Sequence, residues 1–187
     1  MDKFFLVISK LFPNISAKQR AGVITVTNAT RRLPLEQRAY LLATAYHETA
    51  RTMQPITEYG NRKYFDKYDV GNLAAQLGNT PQPDGDGRFF RGRGYVQITG
   101  RANYEKAGRK TKVDLLNKPD LALDPQIAAV ILVTGCSEGW FTGKKLSDYI
   151  NDKIKDYRNA RRVINGVDEA DTIKGYAEVF EQALRLL

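Results

Sequence analysis

Two glutamates ten residues apart are the side chains of this sequence best suited to acid–base chemistry. Glu48 ends an apolar stretch with helical periodicity, and Glu58 follows Pro55 in an irregular, aromatic stretch. Two carboxyl groups on different elements that face one cleft are the arrangement that hydrolyses glycosidic bonds. The pair is weak evidence alone, because the chain has 21 acidic residues, and two of them compete for the second position: Asp66 and Asp69.

The environment predicted for Glu48 gives it the character of a general acid. Residues 35–49 are apolar nearly all round, which predicts a buried helix. A carboxylate at the last turn of such a helix loses hydration, and the partial negative charge of the helix C-terminus disfavours the anion. Both effects favour the protonated carboxyl that a general acid requires. A surface glutamate just beyond the helix end is an equally compatible interpretation. Glu58, in contrast, lies in a polar stretch flanked by Arg and Lys, which favours its anion.

Metal, nucleotide and thiol chemistry are disfavoured. A zinc-protease motif beginning at His47 requires a second histidine at position 51, where the chain has Arg. Residues 92–94 lack the third glycine of a dinucleotide fingerprint and the lysine of a phosphate loop. Residues 84–87 are typical of a turn rather than of a calcium loop. The single cysteine, Cys136, is predicted to be a core residue, and its pairing with His47 as a nucleophile is a minor alternative. We therefore predict no metal and no cofactor.

Aromatic and basic residues alternate through the middle of the chain and predict a binding groove. This pattern suits stacking on nucleic-acid bases, contact with sugars, or simple core packing, so it does not name a ligand. The aromatic members are Tyr59, Tyr64, Phe65, Tyr68, Phe89, Phe90, Tyr95 and Tyr104, and the basic members are Arg62, Lys63, Arg88, Arg91, Arg93 and Arg101.

The hydrophobic pattern predicts one mainly α domain, over residues 1–187, that positions these groups. Residues 55–68 are irregular and would hold at most a small β-hairpin, and residues 78–94 read as a loop because Pro81 and Pro83 exclude a helix. Helices are predicted over residues 17–31 (behind a Ser16–Gln19 capping box), 35–49, 126–141, 147–164 and a C-terminal amphipathic stripe at 173–187.

Charge and composition limit the partners. The 187 residues include 29 Lys and Arg against 21 Asp and Glu, a net charge of +8, which favours polyanions such as nucleic acid, an anionic membrane or an acidic wall polymer. No apolar run approaches the roughly 20 residues that span a bilayer, and residues 4–8 are too short for the core of a signal peptide. One cysteine excludes an internal disulfide. We expect a protein made in a reducing compartment without its own export signal.

Several segments together resemble the chitinases of glycoside hydrolase family 19, and they are most similar to the phage and prophage endolysins of that family. The resemblance covers roughly residues 35–187. The most specific block is Gly92-Arg93-Gly94-Tyr95-Val96-Gln97-Ile98-Thr99-Gly100-Arg101-Ala102-Asn103-Tyr104, and the other segments are residues 43–49, Glu58, and residues 121–125, 139–141 and 161–166.

The resemblance implies a lysozyme-like, two-lobed, α-rich fold with a cleft, and it implies roles for particular residues. Glu48 would be the general acid and Glu58 the general base, and Thr99 would supply the hydroxyl that helps to hold the attacking water. The implied substrate-binding residues are Gln97, Asn103, Asn165 and Tyr95. The chain departs from plant members of the family in having no disulfide, in Thr142 after Trp140-Phe141, and in Tyr95 itself.

The predicted function is therefore an endolysin that hydrolyses β-1,4-glycosidic bonds of peptidoglycan, with inversion, for host-cell lysis. Inversion requires the two carboxyl groups to stand roughly 6.5–9.5 Å apart. We expect a monomer without nucleic acid or stable membrane insertion. It would stay in the bacterial host cytoplasm until a separate membrane-permeabilising lysis protein releases it to the periplasm and wall. Two alternatives stay open: a chitinase acting on N-acetylglucosamine polymers, and a basic nucleic-acid-binding module.

Overall fold

The computed structural model describes all 187 residues, and most of its regular structure is α-helical. Its helices are α1 (Asp2–Ile8), α2 (Ala17–Ala29), α3 (Leu35–Glu48), α4 (Arg62–Phe65), α5 (Gly71–Leu77), α6 (Asp86–Phe89), α7 (Arg101–Thr111), α8 (Pro125–Glu138) and α9 (Ala170–Leu184), and its strands are β1 (Ile56–Thr57) and β2 (Arg93–Gly94). Short 3₁₀ turns cover Asp66–Tyr68, Pro119–Leu123, Leu146–Asp148 and Asn159–Val163.

The chain forms two compact units, the first from residues 1–54 and 132–187 and the second from residues 55–131. The first unit uses both ends of the chain, so the units are not successive domains along the sequence. Helix α8 begins in the second unit and ends in the first. The single catalytic domain stays a prediction.

The first unit is built on α3, whose apolar sequence buries nearly every side chain from Ala39 to Tyr46. Helix α9 packs against α3 and contributes an apolar stripe that includes Ile173 and Phe180, as its periodicity predicts. Helix α2 begins at the predicted capping box, in which the Ser16 hydroxyl accepts a hydrogen bond from the Gln19 backbone N–H. The predictions for residues 17–31, 35–49 and the C-terminal helix are confirmed to within a few residues at their ends.

The predicted helix over residues 147–164 is wrong. Two 3₁₀ turns stand in its place, joined by residues in which Ile150 forms an isolated antiparallel bridge with Lys155. The Asn151 side-chain oxygen accepts hydrogen bonds from the backbone N–H groups of Lys153 and Ile154, at 2.9 and 3.1 Å. These side-chain hydrogen bonds stabilise a local turn, which competes with the backbone hydrogen bonds of a helix.

The second unit consists of short elements around a two-stranded sheet. Strand β1 pairs antiparallel with β2, with Ile56 opposite Gly94 and Thr57 opposite Arg93. Because α4, α5 and α6 lie between these strands in the sequence, the sheet is not a local hairpin within residues 55–68. Helices α5 and α7 were not predicted, and the predicted loop at residues 78–94 contains α6 and β2.

Two ion pairs, each with one buried member, link elements of the second unit. The Arg93 side chain is 2% exposed, and its Nε lies 2.8 Å from Asp120 Oδ1. Arg101 donates to both carboxylate oxygens of Asp86, whose neighbour Asp84 accepts from the Asp86 backbone N–H at 3.1 Å. The predicted turn at residues 84–87 is thus a bend at Asp84 and Gly85 that leads directly into α6.

The aromatic residues of the middle segment divide between core and surface. Phe65, Phe90, Tyr95 and Tyr104 are buried, whereas Tyr59, Tyr64 and Phe89 are exposed. No helix in the structure combines the length and the apolar character that a membrane crossing requires.

Candidate active site

The predicted site residues occur in both units, and each group has its own surroundings. Glu48 and Asn165 belong to the first unit, and Glu58, Tyr95, Gln97, Thr99 and Asn103 belong to the second.

Glu48 is the last residue of α3, and the chain that follows it fixes the helix end. The Thr49 side chain is fully buried, donates to the Ala45 carbonyl at 2.7 Å and accepts from the Met53 N–H at 3.0 Å. Ala50, Arg51 and Met53 all have positive φ, at 49°, 69° and 54°. Non-glycine residues hold such angles only where surrounding structure over-determines them. The position of Glu48 is therefore set by a tightly constrained chain reversal.

Glu48 forms an ion pair with Arg161, a partner that the sequence analysis missed. Arg161 Nη1 donates to Glu48 Oε1, and the two side chains are 6% and 20% exposed. Arg161 Nε also donates to the Asp168 carbonyl at 3.2 Å. The sequence analysis argued for a neutral carboxyl group from burial and the helix end alone, whereas in the structure Glu48 has a positively charged partner. A buried carboxylate requires such a counter-charge. The need for a counter-charge could have indicated a basic partner for Glu48, but it could not identify Arg161 among the 29 basic residues.

The thiol near Glu48 is not a nucleophile. Cys136 is 1% exposed. Burial raises the pKa of the Cys136 thiol strongly, and the nearby Glu48 charge raises it further. The structure confirms Cys136 as a core residue, and a thiol that attacks as its thiolate is disfavoured in such surroundings.

Asn165 lies on the surface, directly after the turn that carries Arg161. Its backbone N–H donates to the Arg161 carbonyl at 3.0 Å. Its side-chain oxygen accepts from the Gly166 N–H at 2.8 Å, which leaves the amide NH₂ free of intramolecular bonds. This exposed amide is available to a ligand.

Glu58 accepts three hydrogen bonds from neutral donors within the second unit. The hydroxyls of Tyr64 and Tyr68 each donate to Oε1 at 2.9 Å, and the Gly92 N–H donates to Oε2 at 3.0 Å. The Glu58 N–H in turn donates to the Gly92 carbonyl at 2.7 Å, which extends the β1–β2 pairing by one residue. The backbone and side chain of Glu58 are thus both fixed.

The two tyrosines beside Glu58 are themselves constrained. Burial raises the pKa of Tyr68 to about 12, and its hydrogen bond to Glu58 contributes in the same direction. Lys67 Nζ lies 3.6 Å from the ring centroid of Tyr64 and 4.6 Å from that of Tyr68. The sequence analysis noted these tyrosines only as part of an aromatic stretch. Their spacing of six and ten residues from Glu58 corresponds to no regular element, so no periodicity could indicate the contact.

The competing carboxylates have other surroundings. Asp69 is buried, and its Oδ1 accepts from the Gly87 N–H at 2.5 Å, which ties α6 to the preceding turn. Asp66 is exposed in the 3₁₀ turn after α4. Glu58 alone among these three receives two phenolic hydrogen bonds.

Gly92 leaves no room for a side chain beside Glu58. A Cβ at this position would lie 3.2 Å from Glu58 Oε2 and 2.8 Å from Gln97 Oε1. Gln97 has a positive φ of 53°, and its Nε2 donates to the carbonyls of Ile56 and Gly94, at 2.8 and 3.1 Å. Gln97 therefore braces both strands and presents its side-chain oxygen next to the Glu58 carboxylate.

Thr99 and Asn103 continue the same polar chain. The Thr99 hydroxyl donates to the Gln97 carbonyl at 3.1 Å, and Asn103 Nδ2 donates to the Thr99 carbonyl at 2.7 Å. Both side chains are half-buried. A hydroxyl that donates to a carbonyl keeps its lone pairs for accepting a hydrogen bond.

Tyr95 does not present a surface to a ligand. Its side chain is fully buried, and burial raises its pKa to about 12. The role of Tyr95 in substrate binding stays a prediction, although its ring has no exposed surface in the structure.

The geometry within each unit suits acid–base chemistry. One carboxyl group pairs with a guanidinium at a helix end, and the other accepts three hydrogen bonds from neutral groups. No group of three or more His, Cys, Asp or Glu side chains is arranged to hold a metal ion.

The α-rich fold is lysozyme-like, and comparison with known proteins identifies the family. The family model described as "Chitinase class I", which defines glycoside hydrolase family 19, matches residues 10–160. The chain belongs to this family.

Known relatives match part of the chain in sequence and nearly all of it in fold. Endochitinase CH5B of Phaseolus vulgaris is 41% identical over 71 residues, which cover 37% of this chain and 20% of that protein. Endochitinase 4 of Solanum tuberosum is 51% identical over 47 residues, 25% of this chain and 16% of that protein. The aligned part thus spans about a fifth of the curated relatives' length.

Solved structures confirm the lysozyme-like, α-rich fold. Chitinase C from Streptomyces griseus HUT6037 superposes with a TM-score of 0.67 at 20% identity, covering 96% of this chain and 75% of that one. A second bacterial family 19 chitinase has a TM-score of 0.59, also at 20% identity, and covers 96% of this chain and 93% of its own.

Proposed function

We propose that this protein is an endolysin that hydrolyses β-1,4-glycosidic bonds of bacterial peptidoglycan, with inversion at the anomeric carbon, for host-cell lysis. The observation that carries the proposal is the triply hydrogen-bonded Glu58 carboxylate, in a family 19 chain whose Glu48 ends a buried helix beside Arg161.

In the proposed reaction Glu48 is the general acid and Glu58 the general base. The Glu48 carboxyl gives its proton to the glycosidic oxygen as the bond from that oxygen to the anomeric carbon breaks. A water molecule attacks the opposite face of the sugar and gives a proton to Glu58, so one step forms the inverted product. The guanidinium of Arg161 compensates the charge that Glu48 acquires when it loses its proton.

Thr99 and the polar residues around it would position the water and the sugar. The Thr99 hydroxyl donates to the Gln97 carbonyl, so it can accept a hydrogen bond from a water whose other proton goes to Glu58. We assign Gln97, Asn103 and Asn165 to sugar binding, since these amides can bond hydroxyl and N-acetyl groups.

The net charge supports an anionic wall polymer as substrate. A charge of +8 raises the local concentration of protein at a negatively charged polymer. We propose that the protein acts as a monomer without nucleic acid or stable membrane insertion. It would reach the wall from the host cytoplasm with the help of a separate membrane-permeabilising protein.

A chitinase is the second candidate, and one observation favours it. The plant proteins that match part of this chain at 41–51% identity are endochitinases. A neutral N-acetylglucosamine polymer would gain nothing from the positive charge. Relative rates on the two polymers therefore separate the candidates.

The test is hydrolysis of purified peptidoglycan and of N-acetylglucosamine oligomers at equal sugar concentration. We expect faster release from peptidoglycan, and mass analysis of the fragments, with their reducing ends identified, shows which bond is cut. Faster turnover of the chitin oligomers would establish the chitinase instead. A salt-sensitive shift of DNA without wall lysis would establish the basic nucleic-acid-binding module.

Stereochemistry tests the mechanism separately. Proton NMR of freshly cleaved, β-linked soluble oligosaccharide should show the α-anomer first. A β-anomer appearing first would mean retention and a covalent intermediate.

A further inference from the structure

A pocket of about 400 Å³ in the second unit carries three arginines next to the groups that bind Glu58. Arg62 precedes Tyr64 by two residues in α4, and Arg91 immediately precedes Gly92; Tyr64 and Gly92 both donate to Glu58. We call this the arginine pocket, and its lining residues used below are Arg62, Arg88, Arg91, Phe89, Asp66 and Asp69.

The arginines of this pocket lack the partners that other arginines of the unit have. Arg93 and Arg101 form ion pairs with Asp120 and Asp86. Arg62 and Arg88 are exposed and form no ion pair. Their charges therefore remain available to a ligand.

Positive charge is concentrated around Arg91 in the wall of the arginine pocket. Its Nη1 donates to the Arg88 carbonyl at 2.9 Å, which directs the side chain along the pocket wall. Burial lowers the pKa of Arg91, and the neighbouring charges of Arg93 and Arg88 lower it further. An anionic group bound here would relieve that repulsion.

The pocket also contains features that a simple polyanion site would lack. Asp66 and Asp69 line the same wall, and Phe89 exposes 45% of its surface. Carboxylates repel a phosphate polymer but attract an ammonium group, and the phenyl ring offers an apolar contact. The pocket therefore suits a short ligand that carries carboxylates, an amine and methyl or methylene groups together.

We propose that the arginine pocket binds the peptide stem of peptidoglycan, with stem carboxylates on Arg62, Arg88 and Arg91 and its apolar part on Phe89. This inference rests on the proposed wall substrate and explains how the enzyme would prefer it. Chitin has no peptide and no carboxylate, so only peptidoglycan would gain from these contacts. The pocket is thus a specificity subsite beside the general base.

The first test is direct binding of a stem peptide, L-alanyl-γ-D-glutamyl-meso-diaminopimelate, measured by calorimetry. The variant Arg62→Gln/Arg88→Gln removes two exposed charges, and Arg31→Gln/Arg32→Gln removes two equally exposed charges from the first unit as a matched control. We expect roughly threefold weaker binding per arginine, about tenfold for the pocket variant, and no change for the control. Absence of peptide binding to the wild type, or equal losses in both variants, would overturn the proposal.

The second test measures hydrolysis of two forms of one polymer, intact peptidoglycan and the same glycan after an amidase has removed its peptides. The pocket variant should lose about tenfold in kcat/KM on the intact polymer and nothing on the stripped glycan. Equal loss on both forms would contradict a peptide subsite. If the wild type cleaves only N-acetylglucosamine oligomers, the proposed function fails, and the calorimetric result still decides whether the pocket binds the peptide.

Discussion

Glu48 and Glu58 are held in opposite ways. Glu48 ends a 14-residue buried helix, and its partner is a full positive charge on Arg161. Glu58 lies in a unit of short elements, and its partners are two phenols and one backbone N–H. The Glu48 carboxyl group is thus paired with the charge of a guanidinium, and the Glu58 carboxyl group interacts with the dipoles of three neutral donors.

This difference indicates why the two groups suit different roles. In the proposed mechanism, the guanidinium beside Glu48 would stabilise the anion that remains after proton donation, and no rearrangement would be needed at that moment. Three neutral donors fix the orientation of Glu58 and place no positive charge beside the carboxylate that is proposed to accept the proton of the attacking water. Variants that remove one carboxyl group, or the partners of one carboxyl group, test this difference.

The largest effect is expected from Glu48→Gln. The amide cannot donate a proton at neutral pH, but its oxygen can still accept the Arg161 hydrogen bond, so the fold should persist. General acid catalysis is worth about 10²–10⁴-fold, and we expect a loss of at least about 10³-fold in wall lysis. Near-normal lysis by a variant with wild-type circular dichroism would remove Glu48 from the chemistry.

Glu58→Gln should lower the rate of hydrolysis about 10²-fold, which is less than the loss expected for Glu48→Gln, because water can still attack without a base. The amide oxygen can accept the Gly92 N–H or one phenol, which limits the structural change. Rates on a soluble oligosaccharide measure the loss. A larger loss than that of Glu48→Gln would reverse the ranking of the two groups.

Arg161→Met tests the charge at the first carboxyl group. It leaves Glu48, whose side chain is 20% exposed, without its counter-charge, and we expect about 2–3 kcal/mol lower free energy of unfolding. Urea denaturation measures the change. In the double variant Glu48→Gln/Arg161→Met most of that loss should disappear, because the uncompensated carboxylate is also gone. Additive losses would mean that the pair is not coupled.

Tyr64→Phe/Tyr68→Phe tests the dipoles at the second carboxyl group. Both rings remain, but the two hydroxyl donors to Glu58 Oε1 are lost, and the Gly92 N–H is the remaining donor. We expect hydrolysis to be at least about tenfold slower, because a hydrogen bond to a charged group contributes about 1.5–3 kcal/mol. Tyr59→Phe, whose ring is 98% exposed, is the matched control. Equal rates in both variants would show that the phenols do not position Glu58.

The long helices could be predicted from the sequence, whereas the turn within residues 147–164 and the distant partner of Glu48 could not. The capping box and the apolar pattern predicted the bounds of α2 and α3 to within a few residues, because local propensity and burial favour the same structure there. The 147–164 prediction failed because the Asn151 side chain forms a turn. Arg161 lies 113 residues from Glu48, and no local pattern reports a contact across that separation.

Thr99→Ala should have the smallest effect and be the sharpest test of the water site. The Thr99 hydroxyl donates to the Gln97 carbonyl at 3.1 Å, so it can only accept a bond from the attacking water, and its loss removes one neutral hydrogen bond. We expect a rate about five times lower on a soluble oligosaccharide, with Thr99→Ser close to wild type because it keeps the hydroxyl. The anomeric product should remain α in both variants, since Glu58 still takes the proton. If Thr99→Ser loses as much as Thr99→Ala, the methyl group rather than the hydroxyl matters, and Thr99 then belongs to the packing of the loop instead of to the water.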